Sequence, residues 1–146
     1  MAYTNPIEDE MAIRDLSARY IDAVNRQHGQ DWQATWSENA SWFLMGQEIT
    51  GRDTILEFWL NTMGLFNFVV MALNSQNLVI DGDQASGRCY VTESLSMKGT
   101  DPAMVQGVYD DTFIRENGEW RFASRSYHML YQGPSDLSGE YQPYPG

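Results

Sequence analysis

The sequence predicts an α+β fold in which N-terminal helices pack on one face of a strongly curved antiparallel β-sheet. Apolar residues recur at helical spacing only as far as Gly64. From residue 66 onwards the chain consists of β-rich runs separated by turn residues. Its 146 residues suit one domain, 1–146, with no internal repeat or linker.

The first part of the chain carries three predicted helices. Asn5 and Pro6, followed by three acids, indicate a helix start with the Asn5 amide as its cap, and Gly29 closes this helix. Its inward face carries Ile13, Leu16, Tyr20 and Val24. A second short helix is expected from Asp31 to about residues 37–39. A third is expected over residues 51–64, with Ile55, Phe58, Trp59 and Met63 inward.

The remaining segments are typical of strands and turns. "SWFLMG" is a short strand, whereas "MGQEITG" is interpreted as a turn with apolar neighbours. Long strands are predicted over residues 66–80, 87–97, 103–115 and 119–131, separated by the turns "DGD", "KGTDP" and "ENG". The tail, residues 132–146, is turn-rich and expected to be peripheral or to make subunit contacts.

Composition and charge exclude several kinds of partner. Nine Lys and Arg against 20 Asp and Glu give a formal charge of −11, which argues against nucleic acid and anionic membranes. Cys89 is the only cysteine, so no internal disulfide forms and a thiolate metal cluster lacks ligands. The acidic N-terminus does not resemble a signal peptide, and no apolar run approaches the roughly 18 residues of a membrane span. We therefore expect a soluble, cytoplasmic protein.

Glu93 is the strongest candidate for acid–base chemistry. Strand alternation in "GRCYVTESLS" puts it on the apolar face, together with Cys89, Val91 and Leu95. Burial disfavours the ionised carboxylate and raises its pKa into the range useful for proton transfer. The alternative is a glutamate at a sheet edge or rim, or one paired with a cation in the core.

The last long strand, "WRFASRSYHML", adds further candidates. Alternation places Arg125 and Tyr127 on one face and His128 on the other, with Phe122 and Leu130. Arg125 would clamp a substrate oxyanion or hold a buried carboxylate charged, and a structural ion pair is the alternative. His128 is more often a packed side chain than a catalytic one in such surroundings. With no phosphate loop, no dinucleotide fingerprint and no nucleophile elbow, and with two distant histidines, we expect neither cofactor nor metal.

Four stretches together resemble the SnoaL-like family of the nuclear transport factor two-like, or cystatin-like α+β, superfamily. They are "IRDLSARYIDAVNRQHGQDWQATWSENASW", "GRDTILEFW", "VIDGDQASGRCYV" and "GVYDDTFIRENGEWRFASR", and they span nearly the whole chain up to about residue 130. The resemblance implies a cone with an apolar pocket. It also implies a homo-oligomer, a trimer favoured over a dimer. Members of the superfamily include dehydratases, dehydrochlorinases, isomerases, epoxide hydrolases and plain binders.

The nearest patterns are those of scytalone dehydratase, hexachlorocyclohexane dehydrochlorinase and bile-acid dehydratase, which share a helix tyrosine, an aspartate five residues later and a strand histidine. Tyr20 matches the tyrosine, but Asn25 and Met71 stand where the aspartate and histidine belong. Glu93 is similar in position to an aspartate of the bile-acid dehydratase, and Arg125 to an arginine of the dehydrochlorinase pocket. The resemblance therefore moves the expected proton transfer from the first helix to Glu93.

The favoured hypothesis is a cofactor-independent lyase acting on a hydrophobic aromatic or polycyclic small molecule, by water elimination or retro-aldol carbon–carbon cleavage such as deformylation. Its candidate catalytic residues are Glu93, Tyr20 and Arg125, and its candidate substrate-binding residues are Asn25, Trp42, Met71, Tyr127 and His128. An isomerase or polyketide-cyclase-like enzyme is one alternative. A non-enzymatic binding or assembly domain, supported by the missing aspartate and histidine, is the other.

Overall fold

The computed structural model describes residues 4–145 and contains three helices within that range. Helix α1 (Ile7–Arg26) begins after Pro6, and its last turn is closed by Gln27 in the left-handed conformation. Helix α2 (Gly29–Gln33) is only one turn long. Helix α3 (Arg52–Met63) lies where the sequence predicts it. The prediction that the second helix continues to residues 37–39 is wrong, because strand β1 already starts at Trp36.

In the described range, seven strands form one sheet in the order β2-β1-β6-β5-β4-β3, with β7 paired to β6. Their bounds are β1 (Trp36–Leu44), β2 (Gln47–Thr50), β3 (Phe66–Asp81), β4 (Gln84–Met97), β5 (Ala103–Glu116), β6 (Glu119–Gly133) and β7 (Glu140–Tyr141). The four long predicted strands are confirmed. Residues 47–50, interpreted as part of a turn, instead form the second strand of the β1–β2 hairpin. The sheet is mixed rather than purely antiparallel, since β1 runs parallel to β6.

β-Bulges interrupt the long strands and curve the sheet. Strand pairing shifts between Phe66 and Phe68 and between Leu73 and Ser75 on β3, and at two places in the β5–β6 ladder. Each extra residue bends its strand and increases the local twist. The sheet therefore has an inner face, which the helices cover, and an outer face on the opposite side.

Aromatic side chains fill much of the space between the helices and the inner face. Trp32, Trp36 and Trp42 pack with ring centroids 5.5–5.9 Å apart, and Trp32 stacks on Trp59 at 4.5 Å. These four of the five tryptophans are at most 5% exposed. Burying such large rings supplies much of the hydrophobic stabilisation of the fold, and their tilted and stacked geometries add favourable ring–ring contacts.

Two asparagine side chains attach α1 and the segment just before it to the edge strand β3. Asn25 donates from Nδ2 to the Met71 carbonyl at 3.0 Å and accepts from the Met71 N–H at 2.7 Å. Asn5, predicted as a helix cap, makes no capping bond; it donates to the Leu78 carbonyl at 2.8 Å and accepts from the Ile80 N–H at 3.1 Å. The two amides satisfy free backbone groups of an edge strand, which would otherwise be open to pairing with another chain.

The C-terminal tail returns to the sheet. Tyr131 of β6 pairs with Tyr141 of β7, and the Gln142 N–H donates to the Leu130 carbonyl. The Tyr144 ring stacks at 6.4 Å on Tyr90, a residue of β4 on the outer face. Residues 1–3 and 146 of the predicted domain lie outside the described range. Within residues 4–145, no helix combines the length and apolar character that a membrane span requires.

We expect Asn25→Ala to lower the free energy of unfolding by about 1–3 kcal/mol, because both backbone groups of Met71 lose their partner. Urea unfolding monitored by circular dichroism measures the effect. Asn67→Ala is the matched control, since Asn67 is exposed on the same strand; it should change stability by less than about 0.5 kcal/mol. A cost at Asn25 no larger than the control would contradict the attachment.

Candidate active site

A buried ion pair lies on the inner face where β5 and β6 meet. Arg125 donates from Nε and Nη2 to the two carboxylate oxygens of Asp111, at 2.7 and 3.0 Å. The side chains are 2% and 0% exposed. Burial alone would lower the pKa of the Arg125 guanidinium, but the Asp111 carboxylate, together with Tyr20 and Cys89, outweighs burial and raises the pKa above its usual value. Arg125 is therefore charged and already paired.

Three aromatic rings surround the Arg125 guanidinium. Its central carbon lies 3.8 Å from the Tyr109 ring centroid, 4.2 Å from that of Phe122 and 4.5 Å from that of Tyr20. A guanidinium over a ring face is attracted by the ring quadrupole, and the attraction is largest where water is excluded. The ion pair therefore fixes the positions of two tyrosines, one from α1 and one from β5.

Glu93 lies on β4, on the same inner face, in register with Met71 of β3 and Val105 of β5. Its strand neighbours on that face, Cys89 and Val91, are 1% and 2% exposed. No hydrogen bond or ion pair of the Glu93 carboxyl is found among residues 4–145. Burial raises the pKa of Glu93 to about 7. The predicted position on an apolar face is confirmed, and Glu93 has no salt bridge with a described residue.

Three phenols share the electrostatic surroundings of Glu93. Burial raises the pKa values of Tyr20, Tyr109 and Tyr127, and the Glu93 charge raises each of them further. The Tyr109 and Tyr127 rings lie 5.0 Å apart. The Tyr127 hydroxyl is buried and has no hydrogen-bond partner among the described residues.

Gly107 makes room for Tyr127. A Cβ placed on this residue would collide with the hydroxyl and Cε1 of the Tyr127 phenol. Tyr127 pairs with Tyr109 in the β5–β6 ladder, two residues from Gly107 along β5. Its ring therefore leans along β5 over the bare backbone of Gly107, towards the Val105 and Glu93 row of the sheet.

Several residues predicted for the site do share this region. Tyr20 lies over Arg125, and the Glu93 charge acts on Tyr20 and Tyr127. Met71 is the register partner of Glu93. Trp42 is the register partner of Arg125 on β1, and it is 5% exposed.

The structure uses three other predicted residues differently. The Asn25 amide is bonded to the Met71 backbone rather than turned to a ligand. The Arg125 guanidinium donates from Nε and Nη2 to Asp111, so it forms the structural ion pair considered as the alternative. His128 lies on the outer face, 3.4 Å from Asp110, because alternation along β6 puts it opposite Tyr127.

Sequence reasoning missed Asp111, Tyr109 and Gly107. Alternation in "GVYDDTF" puts Gly107, Tyr109 and Asp111 on one face, so their shared position was readable. The pairing of Asp111 with Arg125 could not be predicted from the sequence. Counting back from the "ENG" turn along two strands without bulges places Asp111 opposite Ser124. One extra residue on β6 moves the partner to Arg125.

The described part of the chain contains no group of three or more His, Cys, Asp and Glu side chains placed to hold a metal ion. The site as it stands offers one unpaired carboxyl, three phenols and a surrounding aromatic surface. This set of groups is suited to moving a proton and to donating hydrogen bonds to an oxygen atom.

A model of the SnoaL-like domain matches residues 5–126. The chain belongs to the SnoaL-like family. The match covers most of the sequence, including α1, Glu93 and Arg125. A search of curated protein sequences finds no significant match.

Solved structures confirm the fold of this SnoaL-like chain. A hexachlorocyclohexane dehydrochlorinase from Novosphingobium barchaimii is 20% identical, with 95% of this chain and 97% of that chain covered and a TM-score of 0.82. A candidate scytalone dehydratase from Novosphingobium aromaticivorans is 17% identical, with 96% of each chain covered and a TM-score of 0.81. A candidate aromatic ring hydroxylase from the same organism is 26% identical, with 92% and 99% covered and a TM-score of 0.82.

We expect Asp111→Asn to destabilise the SnoaL-like chain by about 3 kcal/mol, because it leaves the buried Arg125 charge without its carboxylate. Urea unfolding gives the value. The control is Asp15→Asn, which breaks the exposed Arg19–Asp15 pair of 2.9 Å and should cost less than about 1 kcal/mol. Equal costs for the two variants would contradict this assignment.

The pKa of Glu93 predicts a pH dependence of stability. Its folded-state pKa of about 7 lies above the ordinary 4.5. The favourable contribution of Glu93 to the free energy of unfolding is therefore fully present below pH 4.5, and it is lost as the pH rises towards 7. Relative to Glu93→Gln, the unchanged chain should lose about 2–3 kcal/mol between pH 5 and pH 8. Urea unfolding at several pH values tests this. Glu57→Gln, at an exposed position of α3, should follow the unchanged chain, and parallel curves for all three proteins would overturn the prediction.

Proposed function

We propose that this SnoaL-like protein is a cofactor-independent lyase acting on a hydrophobic aromatic or polycyclic small molecule, with Glu93 as the acid–base group. The observation that carries the proposal is the unpaired Glu93 carboxyl on an apolar face, with its pKa raised by burial to about 7. A group that titrates near neutral pH accepts and returns a proton with little energetic cost in either direction. The neighbouring folds named as a dehydrochlorinase and a candidate dehydratase support elimination chemistry.

For a β-hydroxy ketone the proposed elimination has two proton transfers. The Glu93 carboxylate takes a proton from the carbon next to the carbonyl, and the electron pair of that C–H bond forms an enolate. The Tyr127 hydroxyl donates a hydrogen bond to the enolate oxygen. The enolate then expels the β-hydroxyl as water, which takes the proton back from Glu93. One C–H and one C–O bond break, one C=C bond forms, and Glu93 returns to its starting state.

The same groups also serve a retro-aldol cleavage. Glu93 removes the proton of the β-hydroxyl, the bond between the α- and β-carbons breaks to give a carbonyl fragment and an enolate, and the enolate carbon takes the proton back from Glu93. An isomerase or polyketide-cyclase-like reaction is the second candidate, favoured by the three phenols beside one carboxyl, since these donors suit an enolate intermediate. Mass spectrometry of the products separates the reactions: isomerisation conserves mass, elimination releases water, and cleavage gives two fragments.

The experiment is turnover of 3-hydroxy-1-tetralone, whose loss of water gives the fluorescent product 1-naphthol. We expect Glu93→Gln to lower kcat at least about 100-fold and Tyr127→Phe about 10-fold, with kcat of the unchanged protein rising through pH 7 as Glu93 ionises. Tyr90→Phe, on the outer face, is the control. Full turnover by Glu93→Gln would remove the assigned role, and no product from the unchanged protein would exclude this β-hydroxy ketone as a substrate.

The proposal includes the homo-oligomer, with a trimer favoured over a dimer, and a cytoplasmic location, both implied by the family resemblance and the sequence. Light scattering on the purified protein measures the mass directly. A monomer at micromolar concentration would contradict the oligomer.

A further inference from the structure

Gly107 is an unusual residue for the interior of a long strand. It lies within β5, where a glycine weakens the strand because it adds chain entropy and packs no side chain. Its φ is not positive, so its backbone conformation is open to any residue. What glycine supplies at this position is therefore space on the inner face of the sheet.

The Tyr127 phenol fills that space. The three atoms nearest to a Cβ built on Gly107 all belong to this phenol: its hydroxyl oxygen, Cζ and Cε1. On β4 the register partner of Gly107 is Val91, and Glu93 is the next inward-facing residue after Val91. The hydroxyl therefore lies over the row of the sheet next to that of Glu93.

Space, and not bonding, sets the position of this phenol. The Tyr20 and Tyr109 rings lie on the Arg125 guanidinium, at 4.5 and 3.8 Å from its central carbon, and these tyrosines are 1% and 3% exposed. Tyr127 has no such contact within residues 4–145, its hydroxyl has no hydrogen-bond partner there, and the residue is only partly buried. Of the three phenols near Glu93, Tyr127 is thus the one whose position depends on the residue beneath its ring.

We propose that Gly107 is a positioning residue: its missing side chain lets the Tyr127 phenol rest on the sheet beside Glu93, and any side chain at this position moves the hydroxyl away from the carboxyl. The proposal rests on the proposed function, because Tyr127 is the donor assigned there to the enolate oxygen. A donor stabilises developing charge only where it is held in place, so displacing it slows the chemical step more than it weakens binding.

Urea unfolding tests whether the phenol is what occupies the space. Gly107→Ala should lower the urea midpoint, because the added Cβ displaces the ring. The same change combined with Tyr127→Val should not lower the midpoint below that of Tyr127→Val alone, since the ring is gone and alanine loses less chain entropy than glycine on folding. If Gly107→Ala does not fold, the double variant should fold again. An equal loss in both backgrounds, or no recovery, would overturn the proposal.

The position of the hydroxyl is measured by the Tyr127 resonance of protein carrying ¹³Cζ-labelled tyrosine, identified by its loss in Tyr127→Phe. Ionisation of Glu93, with its pKa of about 7, should move this resonance, and Glu93→Gln should abolish the movement. We expect Gly107→Ala to reduce the amplitude of the movement at least about 2-fold, because the effect of a charge falls with distance. No Glu93-dependent movement in the unchanged chain, or an unchanged amplitude in Gly107→Ala, would contradict the positioning.

Gly87→Ala is the matched control. Gly87 lies earlier on β4 than Glu93, and a Cβ there would collide with the backbone carbonyl of Asn77 instead of with a side chain. Because a backbone atom cannot move aside, this variant should have a lower urea midpoint than Gly107→Ala, yet it should keep the full amplitude of the Tyr127 movement. A reduced amplitude in both variants would show that general loosening displaces the phenol, and the role of Gly107 would be refuted.

Turnover separates this inference from the proposed function. With 3-hydroxy-1-tetralone, Gly107→Ala should lower kcat about 10-fold and change KM less than about 2-fold. It should lower kcat no further in Tyr127→Phe, where the hydroxyl is already absent, and additive losses would count against the proposal. No turnover by the unchanged protein, with a reduced amplitude in Gly107→Ala, would refute this reaction and leave the placement of the phenol standing. Turnover lost in Glu93→Gln, with full amplitude in Gly107→Ala, would do the reverse.

Discussion

The ion pair between Arg125 and Asp111 constrains the side chains on the inner face. The ion pair holds β5 and β6 in register next to the bulge at which their pairing shifts. The rings of Tyr20, Tyr109 and Phe122 pack around its guanidinium. The ion pair also saturates the one buried cation found in residues 4–145. Because no free positive charge remains beside Glu93, desolvation is unopposed and the pKa of that carboxyl rises to about 7.

The inner face holds charged groups of two kinds: the Arg125–Asp111 pair is structural, and the Glu93 carboxyl is unpaired and free to titrate. A carboxylate clamped by two guanidinium hydrogen bonds has little use as a base, since protonating it would break a buried pair. The Glu93 carboxyl gives up no such partner when it gains a proton. The three phenols beside it supply donors without supplying charge, and Gly107 lets one of them approach by removing the Cβ that would block it. The inner face thus combines one unpaired titratable carboxyl with neutral hydrogen-bond donors.

The sequence predicted much of the fold because its signals are local. The "ENG" turn, with Asn117 and Gly118 both at positive φ, and the long β-rich runs define the β5–β6 hairpin and its neighbours. Glu93 on the inner face followed from strand alternation. The predictions that failed depend on contacts between residues distant in the sequence. These contacts are the bulged pairing of Asp111 with Arg125, the parallel β1–β6 pairing that places residues 36–39 in a strand, and the hydrogen bonds of Asn5 to the edge strand β3.

The two departures from the related dehydratases, Asn25 and Met71, are accounted for by one interaction. An aspartate and a histidine at these positions would pair side chain to side chain. Here the residue on α1 pairs with the backbone of the residue on β3, donating to the Met71 carbonyl and accepting from its N–H. An ionised aspartate could accept but not donate, so this bidentate contact requires the amide. Once the amide is present, the side chain at position 71 needs no proton to exchange. A methionine therefore fits there, packed at 5% exposure and paired in register with Glu93 of β4.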